Sequence, residues 1–456
     1  MNARADIIRK VAPLIIGLTP LLLIVCALYS IAVMVLAQRG MPLWFDESWS
    51  ALIQQSGSFD LWMYRAWSDS SAPLYYVALT LWPLRDDDGM RLLSLFFFVA
   101  AALTAALWRA PGVPRGAAAL WGLLLILWGP GQPIMLDARY YALLLLLSVA
   151  QTIAFLRLMS RPVLGTAMVW SILSSLVILT HYYSAVITAF EGLILLWVCR
   201  ANLTKLLPSL VPFVVPFAWL IYHAPRLLVY AQPEVAWYPL VRLRGLPAWM
   251  ILPIADNYLL PLIVAAIVVA TRSRARFPRG PLLVLAAAIG TMVILLVAGS
   301  VRPMLTPRYL LPVMPPALLA ISLSVTPIGR PLLALAFLTQ LLGFNGLREQ
   351  LRTRSVNGLE LPAKALPRAK IVTWTIDYPG AKVLDPDSTR AILSDAFWRN
   401  GRLITPRWGD DWANGDAIVW LYDEKSRARV EKLKRQWDCI DRPLSNGGTL
   451  SCQRKS

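Results

Sequence analysis

The chain has 456 residues, 57% of them hydrophobic and only 15% charged, with a mean hydropathy of +0.57. A soluble domain carries about a quarter charged residues, so a soluble enzyme is excluded and an integral membrane protein is implied. The net charge of +18 and the pI near 10.1 do not indicate nucleic acid. Most of the excess is arginine in short loops between apolar runs, where it meets anionic headgroups.

In chain order, apolar runs of bilayer-spanning length predict about eleven transmembrane helices. They cover residues 12–37, 89–108, 116–133, 139–156, 163–181, 184–199, 206–223, 249–271, 281–299, 309–326 and 331–346. The first run lacks a small-residue cleavage site and reads as a retained anchor rather than a removed signal peptide. Basic residues gather on alternate connections: Arg4, Arg9 and Lys10 before the first helix, then Arg109 and Arg115, Arg157 and Arg161, Arg200 and Lys205, Arg272, Arg274, Arg276 and Arg279, and finally Arg330. The positive-inside rule places these in the cytoplasm. Asp46, Glu47, Asp60, Asp69, Asp86, Asp87, Asp88, Asp137 and Glu234 then fall on the outer face.

An odd number of spans brings the C-terminal segment out on that same face. The organisation implied is a membrane domain over 1–346, with a first outer loop at 38–88, and a small soluble α/β domain over 347–456. In the latter, Ala369–Trp374 and Asp416–Tyr422 read as buried strands, Lys425–Trp437 as an amphipathic helix, and Gly447-Gly448 as a turn into a last strand. Cys439 and Cys452 flank that turn and are disulfide candidates in an oxidising compartment. Cys26 and Cys199 lie in or beside apolar helices and read as packing residues.

The outer face carries the chemistry. The first outer loop, about fifty residues long, exceeds what a simple connection needs. It holds Asp46-Glu47, then Phe59-Asp60-Leu61-Trp62, then Asp69-Ser70-Ser71-Ala72-Pro73-Leu74-Tyr75-Tyr76 and an apolar run to Pro83 that suits a helix lying in the interface. A plain aromatic belt explains the tryptophans but not the acids kept near them. Asp137-Ala138-Arg139-Tyr140-Tyr141, Thr180-His181-Tyr182-Tyr183 and Pro307-Arg308-Tyr309 occupy other outer helix ends. One arginine beside tyrosine can simply snorkel to water. Two on the face that carries a carboxylate pair favour a phosphate clamp, because guanidinium meets phosphate oxygens bidentately.

These motifs (FDESWS, DSSAPLYY, GMRLLS, ARYYAL, THYY and PRYLLP) resemble, in the same order over about residues 40–320, the GT-C membrane glycosyltransferases. The nearest branch is the family 39 group, which includes protein O-mannosyltransferases and the bacterial lipid A aminoarabinose and galacturonic acid transferases. The resemblance implies a polytopic GT-C-like helical fold in the bacterial inner membrane, with the site and the C-terminal domain on the periplasmic side. It implies an inverting transfer of a sugar from a polyprenyl-phosphate donor to a glycolipid, polysaccharide or protein acceptor.

Asp46 maps to the catalytic base with Glu47 as its neighbour, and Arg139, Arg308 and Tyr309 to the donor-phosphate site. Arg91 maps either to phosphate binding or to structural anchoring. Asp69, Tyr75, Tyr76, Asp137, Tyr140, His181 and Tyr182 are candidate substrate contacts. The sequence departs from the family at Ser71-Ala72-Pro73, where relatives carry a basic or imidazole group before the proline; Arg65 and Arg85 are nearby replacements. Loop 224–247, with Trp237 and Tyr238, is a candidate acceptor-side cover.

No cofactor is required by this chemistry. The acids can hold a divalent cation weakly, but two histidines without Cys-His spacing make no zinc site. Glu191, mid-span, either pairs with a helix neighbour or lines a lipid groove. The alternative functions are an O-antigen polymerase or ligase, whose long outer loop usually comes late in the chain, and a lipid-linked sugar transporter or flippase. The latter normally shows related halves and mid-membrane polar groups.

Overall fold

A computed structural model describes residues 2–39, 43, 45–128, 131–200, 203–230, 240–242, 278–325, 329, 331, 333–334, 371–374, 417–423, 427–444 and 447–454. The predicted span 249–271, nearly all of 331–346, the segment 347–368, and Glu234, Trp237 and Tyr238 lie outside these residues.

The helices are α1 (Asn2–Gln38), α2 (Phe45–Gln54), α3 (Phe59–Ser68), α4 (Leu74–Leu81), α5 (Asp87–Leu107), α6 (Arg115–Leu127), α7 (Gln132–Met135), α8 (Tyr141–Ser160), α9 (Leu164–Ile178), α10 (Ser184–Val198), α11 (Leu203–Leu206), α12 (Val214–Tyr230), α13 (Arg279–Val301), α14 (Met314–Ser324) and α15 (Arg427–Gln436). Among the described residues, five helical stretches are long and apolar enough to cross a membrane: Gly17–Gln38, Asp87–Leu107, Tyr141–Ser160, Leu203–Leu228 and Arg279–Val301. Three shorter apolar helices, α6, α9 and α10, accompany them.

The chain divides into two compact units: Met1–Ala37, Leu92–Ile221 and Leu240–Leu347 in one, and Gln38–Arg91, Tyr222–Pro239 and Arg348–Ser456 in the other. In the first unit α8 is buried on nearly every face and packs against α9, α13 and α14. Exposed apolar side chains on α13, among them Leu282, Ile289, Val293, Ile294 and Val297, suit contact with lipid rather than water. Gly122 lets α6 approach α5 closely, since a β-carbon there would sit 2.5 Å from the Ala102 carbonyl oxygen.

Prolines reshape two predicted spans. Pro208 and Pro212 lack the N–H that an α-helix needs, and Leu207–Phe213 is a 3-10 helix ahead of α12. Pro307 and Pro312 do the same for Pro307–Val313, so α14 begins at Met314.

Three helices on α8, α9 and α10 share a polar cluster. The Gln151 amide nitrogen lies 3.0 Å from Ser174 Oγ, 3.0 Å from Thr188 Oγ1 and 3.1 Å from Glu191 Oε2. Trp170 Nε1 donates to the same carboxyl oxygen at 2.7 Å. Glu191 is therefore paired with helix neighbours.

In the second unit, α2, α3 and α4 lie in the segment 38–88 that the sequence predicts as the first outer loop. Asp46 and Glu47 in the first turn of α2 complement its dipole, and the Ser58 hydroxyl caps α3 by accepting from Leu61 N at 3.2 Å. Gln54 Nε2 donates to the Leu79 carbonyl at 2.9 Å, and Trp62 Nε1 to Thr80 Oγ1 at 2.9 Å, tying α2 and α3 to α4.

Nearer the C-terminus, β1 (Ile371–Trp374), β2 (Ala417–Asp423), β3 (Trp437–Leu444) and β4 (Gly447–Arg454) form a mixed sheet of order β1-β2-β4-β3. Only β1 and β2 run parallel. Cys439 and Cys452 stand opposite each other on β3 and β4 and are disulfide-bonded. Lys434 on α15 reaches Asp441 on β3 at 2.5 Å.

Candidate functional site

The acidic part of the predicted site lies in the second unit. Glu47 is fully buried, and Arg91 grips its carboxylate with both prongs, Nε to Oε1 at 2.9 Å and a terminal nitrogen to Oε2 at 2.5 Å. The two residues are 44 apart in sequence, and α5 begins four residues before Arg91. The pairing matches an anchoring role for Arg91 and takes up the charge of Glu47. Asp46, one position earlier, is half-exposed. Asp87 supports the entry to α2 by accepting from Leu43 N at 3.3 Å.

Asp69 ends α3 and accepts hydrogen bonds from the Tyr76 hydroxyl and, at 2.8 Å, from Ser70 N. Tyr75 packs edge-on against Tyr76, and both rings are buried. Arg65 turns back to Ser56 Oγ at 3.2 Å, and Arg85 is exposed. α12 supplies basic groups here instead. His223 Nε2 is 2.8 Å from the Trp67 carbonyl, while Arg226 lies over the Trp67 ring and 3.4 Å from the Ser68 carbonyl.

The first unit holds a cluster of rings and guanidinium groups. The turn before α8 is fixed by Ser94 Oγ donating to the Asp137 carbonyl at 2.6 Å, and it carries buried Asp137, Arg139, Tyr140 and Tyr141. The Tyr140 and Tyr141 rings are 4.4 Å apart, and their hydroxyls are 3.3 Å apart. His181, on the turn between α9 and α10, lies 5.1 Å from the Tyr140 ring, 5.3 Å from Tyr183 and 4.9 Å from Tyr309. Tyr183 stacks on Tyr309 and donates to the Met304 carbonyl at 2.5 Å. Arg139 sits over the Tyr140 ring, and Arg308 over Tyr141 and Tyr309. Tyr182 points elsewhere and accepts from Trp219 Nε1 at 2.8 Å.

The electrostatics follow from this packing. Burial pushes the His181 imidazole down to about 3, and the positive charges of Arg308 and Arg139 push the same way. The ring is therefore neutral at neutral pH. Burial, then the neighbouring phenols, raise Tyr140 well above the usual phenol range. Burial raises Tyr183 likewise, with Tyr309 adding to it. The cluster thus brings two guanidinium groups and the buried Asp137 carboxylate together with a neutral imidazole and phenols that stay protonated. Among the described residues, no group of three or more His, Cys, Asp or Glu side chains is arranged to hold a metal ion.

Sequence reasoning missed Tyr141, Tyr183, Arg226 and His223 as members of these clusters. The doubled tyrosines of ARYY and THYY were the available signal for the first two. Nothing local links α12 to α3.

No protein-family model matches the chain, and no curated protein does. Solved structures that share its fold include two of ArnT. One is ArnT from Cupriavidus metallidurans bound to undecaprenyl phosphate, with TM-score 0.55 and 14% identity, covering 94% of this chain and 97% of that one. The other is ArnT from the same organism in the apo state, with TM-score 0.54, 13% identity and the same coverage. At this identity the likeness is one of fold alone.

Proposed function

We propose that the chain is an inverting glycosyltransferase that moves a sugar from a polyprenyl-phosphate donor to an envelope glycolipid, polysaccharide or protein at the outer face of the bacterial inner membrane. The observation that carries this reading is the fold shared over 94% of the chain with a protein solved with undecaprenyl phosphate bound. The Arg139–Arg308 ring cluster adds anion-binding chemistry.

In this reading Asp46 accepts the proton of the acceptor hydroxyl as its oxygen bonds to the anomeric carbon. The bond from that carbon to the phosphate oxygen breaks, and its electron pair leaves with the lipid phosphate. The phosphate thereby passes from one negative charge towards two. Arg139 and Arg308 stabilise the charge as it develops, which lowers the barrier more than it strengthens ground-state binding. Glu47, held by Arg91, fixes the first turn of α2, and hence the Asp46 backbone. His223 and Arg226 on α12 take the place of the basic group absent before Pro73.

The wider organisation belongs to the same proposal: about eleven spans, a C-terminal periplasmic α/β domain over 347–456, and no required cofactor. The Cys439–Cys452 disulfide suits an oxidising compartment. The deciding experiment supplies purified protein with undecaprenyl-phosphate sugars and envelope glycolipid and follows release of undecaprenyl phosphate. Release that depends on acceptor supports the proposal, while absence of both binding and turnover removes it. Reporter fusions at Arg115 and Arg276 should report cytoplasm; an outside signal at either breaks the orientation.

A further inference from the structure

Of the ten buried side-chain polar atoms without a hydrogen-bond partner among the described residues, three lie on two short segments of the first unit that are held together. His181 Nδ1 and Ser184 Oγ lie on the turn that opens α10, and Thr306 Oγ1 lies just before the Pro307–Val313 3-10 helix. Their side chains are deep, with exposures of 5%, 0% and 9%. The Tyr183 hydroxyl bond to the Met304 carbonyl clamps the two segments together, as do the contacts of Tyr309 with His181 and Tyr183. Leaving a buried donor unsatisfied costs about 1–3 kcal/mol, so three on two clamped segments point to a partner that completes them.

We propose that His181 Nδ1, Ser184 Oγ and Thr306 Oγ1 form a tier of neutral hydrogen-bond donors for the phosphate oxygens of the lipid donor. The proposal rests on the phosphate role given above to Arg139 and Arg308. The chemistry selects an anion. Both hydroxyls can donate, and a neutral imidazole donates from Nδ1 in one tautomer. Two guanidinium groups lie close enough to act electrostatically on the same ring. Arg308 is half-exposed, and Pro307, next to Thr306, is exposed, which marks the side from which a headgroup enters. Neutral donors suit the charge change of the reaction. They hold the singly charged diester and the doubly charged product without adding the cationic excess that would trap the latter.

The test uses the full-length protein in lipid nanodiscs with undecaprenyl phosphate as probe, undecaprenol as the lipid without phosphate, and inorganic phosphate as the headgroup without lipid. Thr306→Val is close to isosteric and Ser184→Ala removes one atom, so both keep the test open should His181→Phe fail to fold. Each of the two should weaken undecaprenyl phosphate binding about tenfold, the factor of a single hydrogen bond to a charged group. Undecaprenol binding should not change, and inorganic phosphate should compete poorly.

Wild-type affinity in both variants, combined with loss in Arg308→Ala, overturns this tier and leaves the phosphate clamp standing; the three atoms then hold only water. Equal affinity in wild type and Arg308→Ala removes the clamp itself. Inorganic phosphate binding as tightly as the lipid overturns the lipid headgroup as the ligand.

Discussion

The two charged regions of this protein differ in the contacts their charged groups make. Around α2–α4, carboxylates meet partners that take up their charge or lone pairs: Glu47 meets Arg91, Asp69 meets the Tyr76 hydroxyl, and Asp87 meets the Leu43 amide. Around the start of α8 and the α9–α10 turn, the cations lie against ring faces. A ring stabilises a cation without neutralising it. The first arrangement fixes geometry, and the second sets guanidinium groups among aromatic rings.

Four measurements sharpen or break that contrast. Asp46→Asn should lower sugar transfer about 10²- to 10⁴-fold, the usual worth of a general base, with undecaprenyl phosphate affinity unchanged; transfer near the wild-type rate would falsify its assignment as base. Arg91→Ala leaves the Glu47 carboxylate buried without its cation and should cost about 3–5 kcal/mol of stability, read by thermal unfolding in detergent. The double change Glu47→Leu with Arg91→Met should recover most of it. A stable Arg91→Ala protein that merely binds donor weakly would instead make Arg91 a phosphate ligand.

Arg139→Ala and Arg308→Ala should each reduce undecaprenyl phosphate affinity about 10- to 100-fold, as for a charge-assisted hydrogen bond, and calorimetric titration gives the answer directly. The last effect is in pH. Burial lowers the His181 imidazole from the ordinary value near 6.5 in the unfolded chain to about 3 in the folded one, so the unfolded chain binds the extra proton between those values. Its contribution to stability is complete above about 6.5 and is lost as pH falls towards 3. His181→Gln should flatten that acid limb in unfolding midpoints measured from pH 4 to 8, and an identical limb would assign the loss to other groups.

The apolar runs were legible because hydrocarbon selects composition over a whole span. α5, α8 and α13 start or end within a few residues of their predicted bounds. The spans rich in proline were harder: hydropathy does not register a missing N–H, so the 3-10 openings of α12 and α14 went unseen. In the first outer loop the helix after Pro73 was readable, whereas α2 and α3 were not, being short and half polar. In the C-terminal segment the apolar runs of β1 and β2, the amphipathic pattern of α15 and the glycine turn before β4 were readable, while β3, interrupted by Pro443, was not.

Of the site, single residues were visible and their partners were not. Nothing within 44 residues of Glu47 says that Arg91 will hold it. The tyrosine doublets advertised themselves, but their gathering around His181 depends on three turns meeting in space.

The polar cluster on Gln151 has a consequence for biogenesis. Before α8, α9 and α10 meet, hydrocarbon offers the amide of α8 and the carboxyl of α10 no partner, and that exposure is costly. Lateral association of these three segments relieves it; sliding α10 by a residue would separate Glu191 from both Trp170 and Gln151, and sliding α8 or α9 would break one of the two contacts. The cluster therefore acts as a ruler for depth and rotation, setting how the bundle seats itself as it leaves the insertion machinery.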